Sequence, residues 1–200
     1  EKDGMVPREL GEKAGENGLL CVTVPEEYGG MGLDVLYSAV GWEEQSYANC
    51  TGPGWFLHSE IVLPYILHYG TDAQKEKYIG DMVSGDRIGA IAMTEPGAGS
   101  DLAGMTTSAI KQEDGTYLLN GSKTWISNSP IADVFVVWAK QDEQVKGFIL
   151  DRSMEGITTP KIEGKISKKD KKLVLSKGPK IEFDKVSFKY LRDEMILKKI

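Results

Sequence analysis

Cysteine and histidine are scarce here, at two each among 200 residues. Cys21 and Cys50 stand in apolar or glycine-containing surroundings with no CxxC and no histidine neighbour. That pattern specifies no disulfide framework; reduced, partly buried thiols in an intracellular protein are expected. His58 and His68 lie ten residues apart without a convergent carboxylate or cysteine set, so no metal site is expected. Long apolar runs are missing too. None approaches the roughly 20 residues of a bilayer span, and the opening residues are too charged for a secretory segment. The chain is expected to be soluble, without a membrane span, and its start at Glu1-Lys2-Asp3-Gly4 is expected to be a processed or cut boundary. Positive charge is the minority, 24 Lys and Arg against 30 Asp and Glu, for a net charge of -6. The signs are interspersed, which leaves no broad cationic footprint and argues against nucleic acid as a partner. One local exception, Lys165, Lys168, Lys169, Lys171 and Lys172, reads as a solvated loop or strand edge, or as an anion site.

Several nucleotide and catalytic motifs are also absent. Gly97-Ala98-Gly99-Ser100-Asp101 lacks the third glycine of GxGxxG and no βαβ unit follows, which disfavours a Rossmann site. There is no Walker A sequence, no GxSxG elbow and no HExxH helix.

What is present changes character near Gly85. Before it the pattern is helical. A first helix is expected over 6–17, a short extended or buried segment over 19–24, and a turn at Pro25-Glu26-Glu27-Tyr28-Gly29-Gly30. The 34–49 stretch carries Val35, Leu36, Ala39, Val40 and Trp42 at helical spacing, a core face by default, with Asp34 as its cap. A helix over 57–69 meets Pro64 as a kink or interruption. Thr71 and Gln74 form a capping-box pattern ahead of an inward stripe of Tyr78, Ile79 and Met82. After Gly85, strands are expected over 87–93, 106–112, 117–119, 123–127, 132–139, 145–150 and 180–183. Asp114-Gly115 and Asn120-Gly121 are the hairpin signals. The 132–139 run is too continuously apolar to be exposed on both faces. Such spacing of antiparallel strands suggests a barrel or sandwich.

Two blocks carry chemistry. In Ala92-Met93-Thr94-Glu95-Pro96-Gly97-Ala98-Gly99-Ser100-Asp101 a strand delivers a hydroxyl, then proline and glycines turn the chain sharply while leaving backbone N–H groups accessible. Thr94, Gly99 and Ser100 then approach a planar ring or a phosphate, or the segment is an ordinary surface turn with an Asx bond at Asp101. In Asn120-Gly121-Ser122-Lys123-Thr124-Trp125-Ile126-Ser127-Asn128 a tryptophan beside hydroxyls suits a flavin or another flat heterocycle, or serves as a core or rim anchor.

Together with Val24-Pro25-Glu26-Glu27-Tyr28-Gly29-Gly30, Trp42-Glu43-Glu44-Gln45 and Gly89-Ala90-Ile91-Ala92, these blocks resemble the acyl-CoA dehydrogenase family in their order along the chain. The upstream half is similar to long-chain members, while Gly147-Phe148-Ile149-Leu150 through Pro160-Lys161-Ile162 is similar to the glutaryl-CoA branch. The resemblance implies an α+β fold: a partial N-terminal helical domain over 1–85, an antiparallel β-barrel domain over 86–190 and a terminal segment over 191–200, without the C-terminal helical domain. It implies FAD held by Ile91, Met93, Thr94, Gly99, Ser100, Trp125, Ile126 and Ser127, with Thr94 near the polar edge of the isoalloxazine. The implied reaction removes an α-proton from a fatty acyl-CoA and passes a β-hydride to the flavin. The family's glutamate base comes from the C-terminal domain, so neither Glu95 nor Asp101 is assigned that role and no catalytic residue is expected here. Implied partners are acyl-CoA substrate and electron-transferring flavoprotein, with a homo-oligomer in the full-length form. The implied location is the mitochondrial matrix in a eukaryote or the cytoplasm in a bacterium. The alternative is a noncatalytic flavin- or acyl-CoA-binding scaffold or assembly module. The lysine-rich 164–180 stretch departs from the family pattern, and 191–200 is read as the start of a helix.

Overall fold

The computed structural model describes residues 6–160, 165–166, 173–174 and 180–189. The lysine run beyond Ile166 and the helix expected from Leu191 lie outside the described residues. Helix α1 (Glu9–Glu16) ends just before Gly18 at φ 66°, a left-handed stop suited to glycine. The next segment, expected to be extended or buried, is a turn that buries Leu20, Cys21 and Val24. Pro25 then starts a single 3-10 turn over Glu26–Tyr28, closed by Gly29 at φ 87°.

Asp34 caps α2 (Val35–Tyr47) by accepting the Leu36 N–H at 2.8 Å. The expected inward face of this helix is not where the periodicity put it. Val35, Leu36 and Val40 are 60%, 68% and 59% exposed, Ala39 is exposed, and Ser38 is the helix's buried residue. The reason is that α2 rests on a narrower stripe. Ser38 Oγ donates to Glu60 Oε1 at 2.6 Å, and one turn on, Trp42 meets Phe56 edge to face.

Phe56 leads into a π-helix (Leu57–Val62) that hands over to α3 (Leu63–Tyr69). Pro64 explains the interruption. It has no N–H to give the carbonyl four residues back, so the chain takes a wider turn upstream and restarts with proline in the first turn of α3. Thr71 and Gln74 then close both halves of a capping box at 2.8 and 3.3 Å. The following α4 (Asp72–Ser84) drives Tyr78, Ile79 and Met82 into the core. Both cysteines are free; Cys21 is buried, whereas Cys50 is exposed rather than partly buried, because it follows α2 on the uncovered side.

The strands are β1 (Gly89–Ala92), β2 (Ser108–Lys111), β3 (Thr116–Thr124), β4 (Val134–Gln141), β5 (Gln144–Asp151), β6 (Ile157–Thr158), β7 (Lys165–Ile166), β8 (Leu173–Val174) and β9 (Lys180–Lys189). Seven of them make one curled sheet in the order β1-β4-β2-β3-β9-β6, with β5 also on β4, and β7 pairs separately with β8. The result is an α+β fold in which N-terminal helices precede a half-barrel. Most pairings are antiparallel, but β1 and β2 both run parallel to β4.

Asn120-Gly121 is not a hairpin turn. It lies inside β3, opposite a bulge where Leu119 pairs Val186 and Gly121 pairs Phe183. Glycine is needed there because a Cβ at 121 would sit 2.4 Å from Thr107 Oγ1. The β2–β3 hairpin turns instead at Asp114-Gly115, with Gly115 at φ 80°.

Strand β4 shows why a run can be apolar throughout. Val134, Val136 and Trp138 join the core under the helices, while Phe135, Val137 and Ala139 join the core inside the half-barrel. His58 links the two layers. Its Nδ1 accepts the Gly89 N–H at 2.9 Å, which leaves Nε2–H to donate to the Met82 carbonyl at 2.8 Å. Burial holds its pKa below the usual value despite that carbonyl, so the folded state favours the neutral ring. Its contribution is full above about pH 6.5 and is lost as pH falls from there. A His58→Gln variant, which keeps one acceptor and one donor, is expected to flatten the wild-type stability slope just below pH 6.5, a slope of at most about 1.4 kcal/mol per pH unit. Urea melts across pH 5–7 check this. An unchanged slope in the variant would place the acid sensitivity elsewhere.

Candidate functional site

Strands β1 and β2 share one edge of β4, with Gly89–Ala92 on 134–137 and Ser108 on Lys140. The chain between them, 93–107, is therefore an excursion that leaves the sheet edge and returns to it. Glu95 closes its neck. The buried carboxylate accepts the Thr106 N–H and hydroxyl, both at 2.7 Å, through Oε2, and the Thr107 N–H at 2.9 Å and the Thr107 hydroxyl through Oε1. Lys123 Nζ reaches the same Oε1 at 2.8 Å and the Met93 carbonyl at 3.0 Å. Glu95 and Ala98 exchange backbone hydrogen bonds at 3.0 and 3.2 Å, which makes Pro96-Gly97 the tip of a tight turn.

Burial alone would raise the Glu95 pKa, but the donors from Lys123, Thr107 and Thr106 outweigh it and bring the carboxyl down to about 2. Burial also lowers the Lys123 pKa, against the pull of Glu95. A carboxylate so fully engaged is a structural anion and a poor proton acceptor. Sequence reasoning set Glu95 aside as a base but missed Lys123 as its partner. The signal was present: Tyr117, Leu119 and Lys123 share the inward parity of β3, and an inward lysine demands a buried acid.

A second wall stands beside the excursion. Thr124 donates its N–H to the Thr94 carbonyl at 2.8 Å, which brings the end of β3 against the end of β1. The chain then turns through Trp125 at φ 60°, a left-handed conformation unusual for a bulky residue, and Asn128 at φ 63°, whose side chain donates to the Gly89 carbonyl at 3.3 Å. That kink leaves Trp125 54% exposed instead of packed in the barrel.

The expected site residues fall into three environments. Ile91 and Met93 are half-buried against the helical core, and Thr94 is half-buried at the strand end. Among the described residues neither the Thr94 N–H nor its hydroxyl has a hydrogen-bond partner. Trp125 and Ser127 are exposed, but Ile126 between them is buried in the half-barrel core. Gly99 and Ser100 are exposed on the excursion and make no hydrogen bond to 124–129. The structure thus joins Thr94 to the Trp125 kink directly and leaves Gly99 and Ser100 further along the same loop. A Cβ at Gly97 or Gly99 would meet open space, so the backbone there is approachable. No group of three or more potential metal ligands occurs among the described residues.

Comparison with known proteins agrees with this architecture. Residues 1–86 match the acyl-CoA dehydrogenase N-terminal domain and residues 90–177 the acyl-CoA dehydrogenase middle domain. The chain is 50% identical over 163 residues to the long-chain specific acyl-CoA dehydrogenase of Mus musculus, covering 78% of this chain and 38% of that protein. A glutaryl-CoA dehydrogenase structure from Mycobacterium smegmatis superposes with a TM-score of 0.84 at 32% identity, over 98% of this chain and 49% of that one. An acyl-CoA dehydrogenase of Bacillus anthracis complexed with FAD gives 0.81 at 36% identity, over 94% and 31%. This chain therefore spans half or less of the length of these relatives. Two matched domain models in the family's order and a half-barrel carrying both characteristic blocks show that the chain belongs to the acyl-CoA dehydrogenase family.

Proposed function

We propose that this chain forms the helical and half-barrel wall, over 1–85 and 86–190, of an enzyme that desaturates a fatty acyl-CoA between its α- and β-carbons with FAD. The observation that carries the reading is the Thr94 edge. The Thr94 N–H and hydroxyl, without partners among the described residues, stand where the Thr124 N–H meets the strand end, one residue before the exposed Trp125. This donor set fits a flavin, whose ring offers a flat apolar face for Trp125 and carbonyl or nitrogen acceptors for the Thr94 N–H and hydroxyl. Ile91 and Met93 precede Thr94 on the chain and are half-buried, Ser127 is exposed two residues past Trp125, Ile126 is buried in the core between them, and Gly99 and Ser100 offer accessible backbone to the cofactor's phosphates.

When bound, FAD supplies hydride acceptance from the β-carbon. The residues here bind and orient it. Trp125 and the half-buried Met93 would shield the ring from water, and Thr94 would hold its polar edge. The α-proton needs a carboxylate, and Glu95 is held ionised by four donors from Thr106 and Thr107 and by Lys123. We infer that this chain contributes no base, and that the full enzyme brings one from elsewhere. By the same reading the partners are acyl-CoA and electron-transferring flavoprotein, the full-length form is a homo-oligomer, and the location is the mitochondrial matrix or a bacterial cytoplasm.

FAD titration of the full chain tests this reading, followed by anaerobic addition of a saturated acyl-CoA while the flavin's visible absorbance is recorded. Binding without bleaching is expected. Trp125→Ala and Thr94→Val are each expected to weaken FAD by roughly tenfold, the worth of one stacking or hydrogen-bond contact. Wild-type affinity in both variants would remove the Thr94 edge as the cofactor site. Bleaching would instead show that a base is present in this chain.

A further inference from the structure

We propose that Lys123 is a positioning residue for the cofactor: through the Met93 carbonyl it orients and strengthens the Thr94 N–H as a donor to bound flavin. The inference rests on the FAD reading above. Met93 C=O and Thr94 N–H belong to the same peptide, so a cation on the oxygen draws electron density from the nitrogen and makes its proton a better donor. Lys123 Nζ lies 3.0 Å from that oxygen, with the side chain fully buried, and among the described residues the Thr94 N–H has no partner. The peptide on the other side of Thr94 is fixed from the same strand end, by the Thr124 N–H at 2.8 Å. Adjacent residues of β3 thus grip both peptides flanking the donor.

A merely structural role explains the geometry less well. The neck of the excursion is already closed by Glu95 on Thr106 and Thr107, and a buried ion pair is commonly no more stable than an apolar pair of the same volume. Lys123→Met together with Glu95→Gln would fill the space without desolvating a charge. What an apolar residue cannot supply is a cation on the Met93 carbonyl.

The reduction potential of FAD bound to the full chain separates the two accounts. Lys123→Met is expected to shift it to more negative values, since the anionic reduced flavin loses a strengthened donor and gains an uncompensated carboxylate nearby. Glu95→Gln, which leaves the cation alone, is expected to shift it the opposite way. The double variant should fall between them and below the wild type. Each tenfold change in the preference for reduced over oxidised flavin corresponds to about 30 mV. A structural pair would lower the melting temperature and FAD affinity of both single variants without opposed shifts, and shifts of one sign, or none, overturn the proposal. If a single variant does not fold, the uncharged double variant carries the test. A more negative potential and an upfield Thr94 amide proton in the ligand-free chain are then expected, and unchanged values overturn the proposal. Failure of the wild-type chain to bind FAD overturns the flavin reading and this proposal with it, whereas binding without opposed shifts removes only the proposal.

Discussion

Glu95→Ala is expected to lower the unfolding free energy of the ligand-free chain by about 3–5 kcal/mol, the usual cost of leaving a buried charge without its partner. The change strands the Lys123 ammonium, which has the Met93 carbonyl but, among the described residues, no other anion within reach, and it also releases the Thr106 and Thr107 donors at the neck of the excursion. Lys123→Met in the same background should recover part of the loss, because it removes the stranded charge. The acid limb gives a second signature. The folded Glu95 carboxyl lies at about 2, below its ordinary value, so its contribution is complete above about pH 4.5 and disappears as pH falls from there toward 2. The alanine variant should lack that component of acid unfolding. Urea melts at neutral pH and at pH 3–5 measure both effects. A neutral-pH loss under about 1 kcal/mol, with the wild-type acid limb intact, would mean that other contacts hold the neck.

Local chemistry was the most legible part of the fold. The Thr71–Gln74 capping box, the Asp34 cap and the stop at Gly18 depend on a few neighbouring residues, and the chain forms each where the sequence places it. Pro64 was readable as an interruption because its missing N–H acts within one turn. Errors arose where a local signal met a nonlocal partner. Asn120-Gly121 has the composition of a hairpin, but Thr107 approaches it from the end of the 93–107 excursion and requires the glycine for space. The apolar periodicity of α2 identified a helix correctly and its buried side wrongly, since Ser38 and Trp42 find Glu60 and Phe56 across the π-helix. Within the candidate site, Thr94 and Trp125 were legible from their blocks. Their direct junction and the Lys123–Glu95 brace were not, because they depend on how β1 and β3 end side by side. The left-handed backbone at Trp125 had no sequence signal at all, since neither glycine nor asparagine occupies that position.

The second large effect is expected at Gly15. Helix α1 crosses the end of α4 with almost no space between backbones. A Cβ on residue 15 would sit 1.9 Å from the Ser84 carbonyl oxygen and 2.9 Å from Ser84 Cα, and a Cβ on Gly85, at φ 82°, would sit 2.3 Å from the Gly11 carbonyl oxygen. Gly15→Ala must therefore displace main chain, which cannot swing aside as a side chain does, and a loss of about 3 kcal/mol or more is expected. Gly80→Ala supplies the internal control. It also lies inside a helix, but its Cβ would meet open space, so it should gain about 0.5–1 kcal/mol from helix propensity alone. Opposite signs in the two variants, read from urea midpoints, would isolate steric contact from propensity. The consequence extends to the site through connectivity. Arg8, next to α1, pairs with Asp133 at 2.9 Å and bonds the Asp86 carbonyl, while Asp133 accepts the Ile88 N–H at 2.9 Å. Those contacts fix the entry to β1, which ends at the Thr94 edge. Displacing α1 should accordingly weaken FAD binding as well as stability, whereas Gly80→Ala should leave affinity unchanged. Equal affinity in Gly15→Ala and wild type, despite the expected loss of stability, would show that the Thr94 edge is held from the β3 side alone.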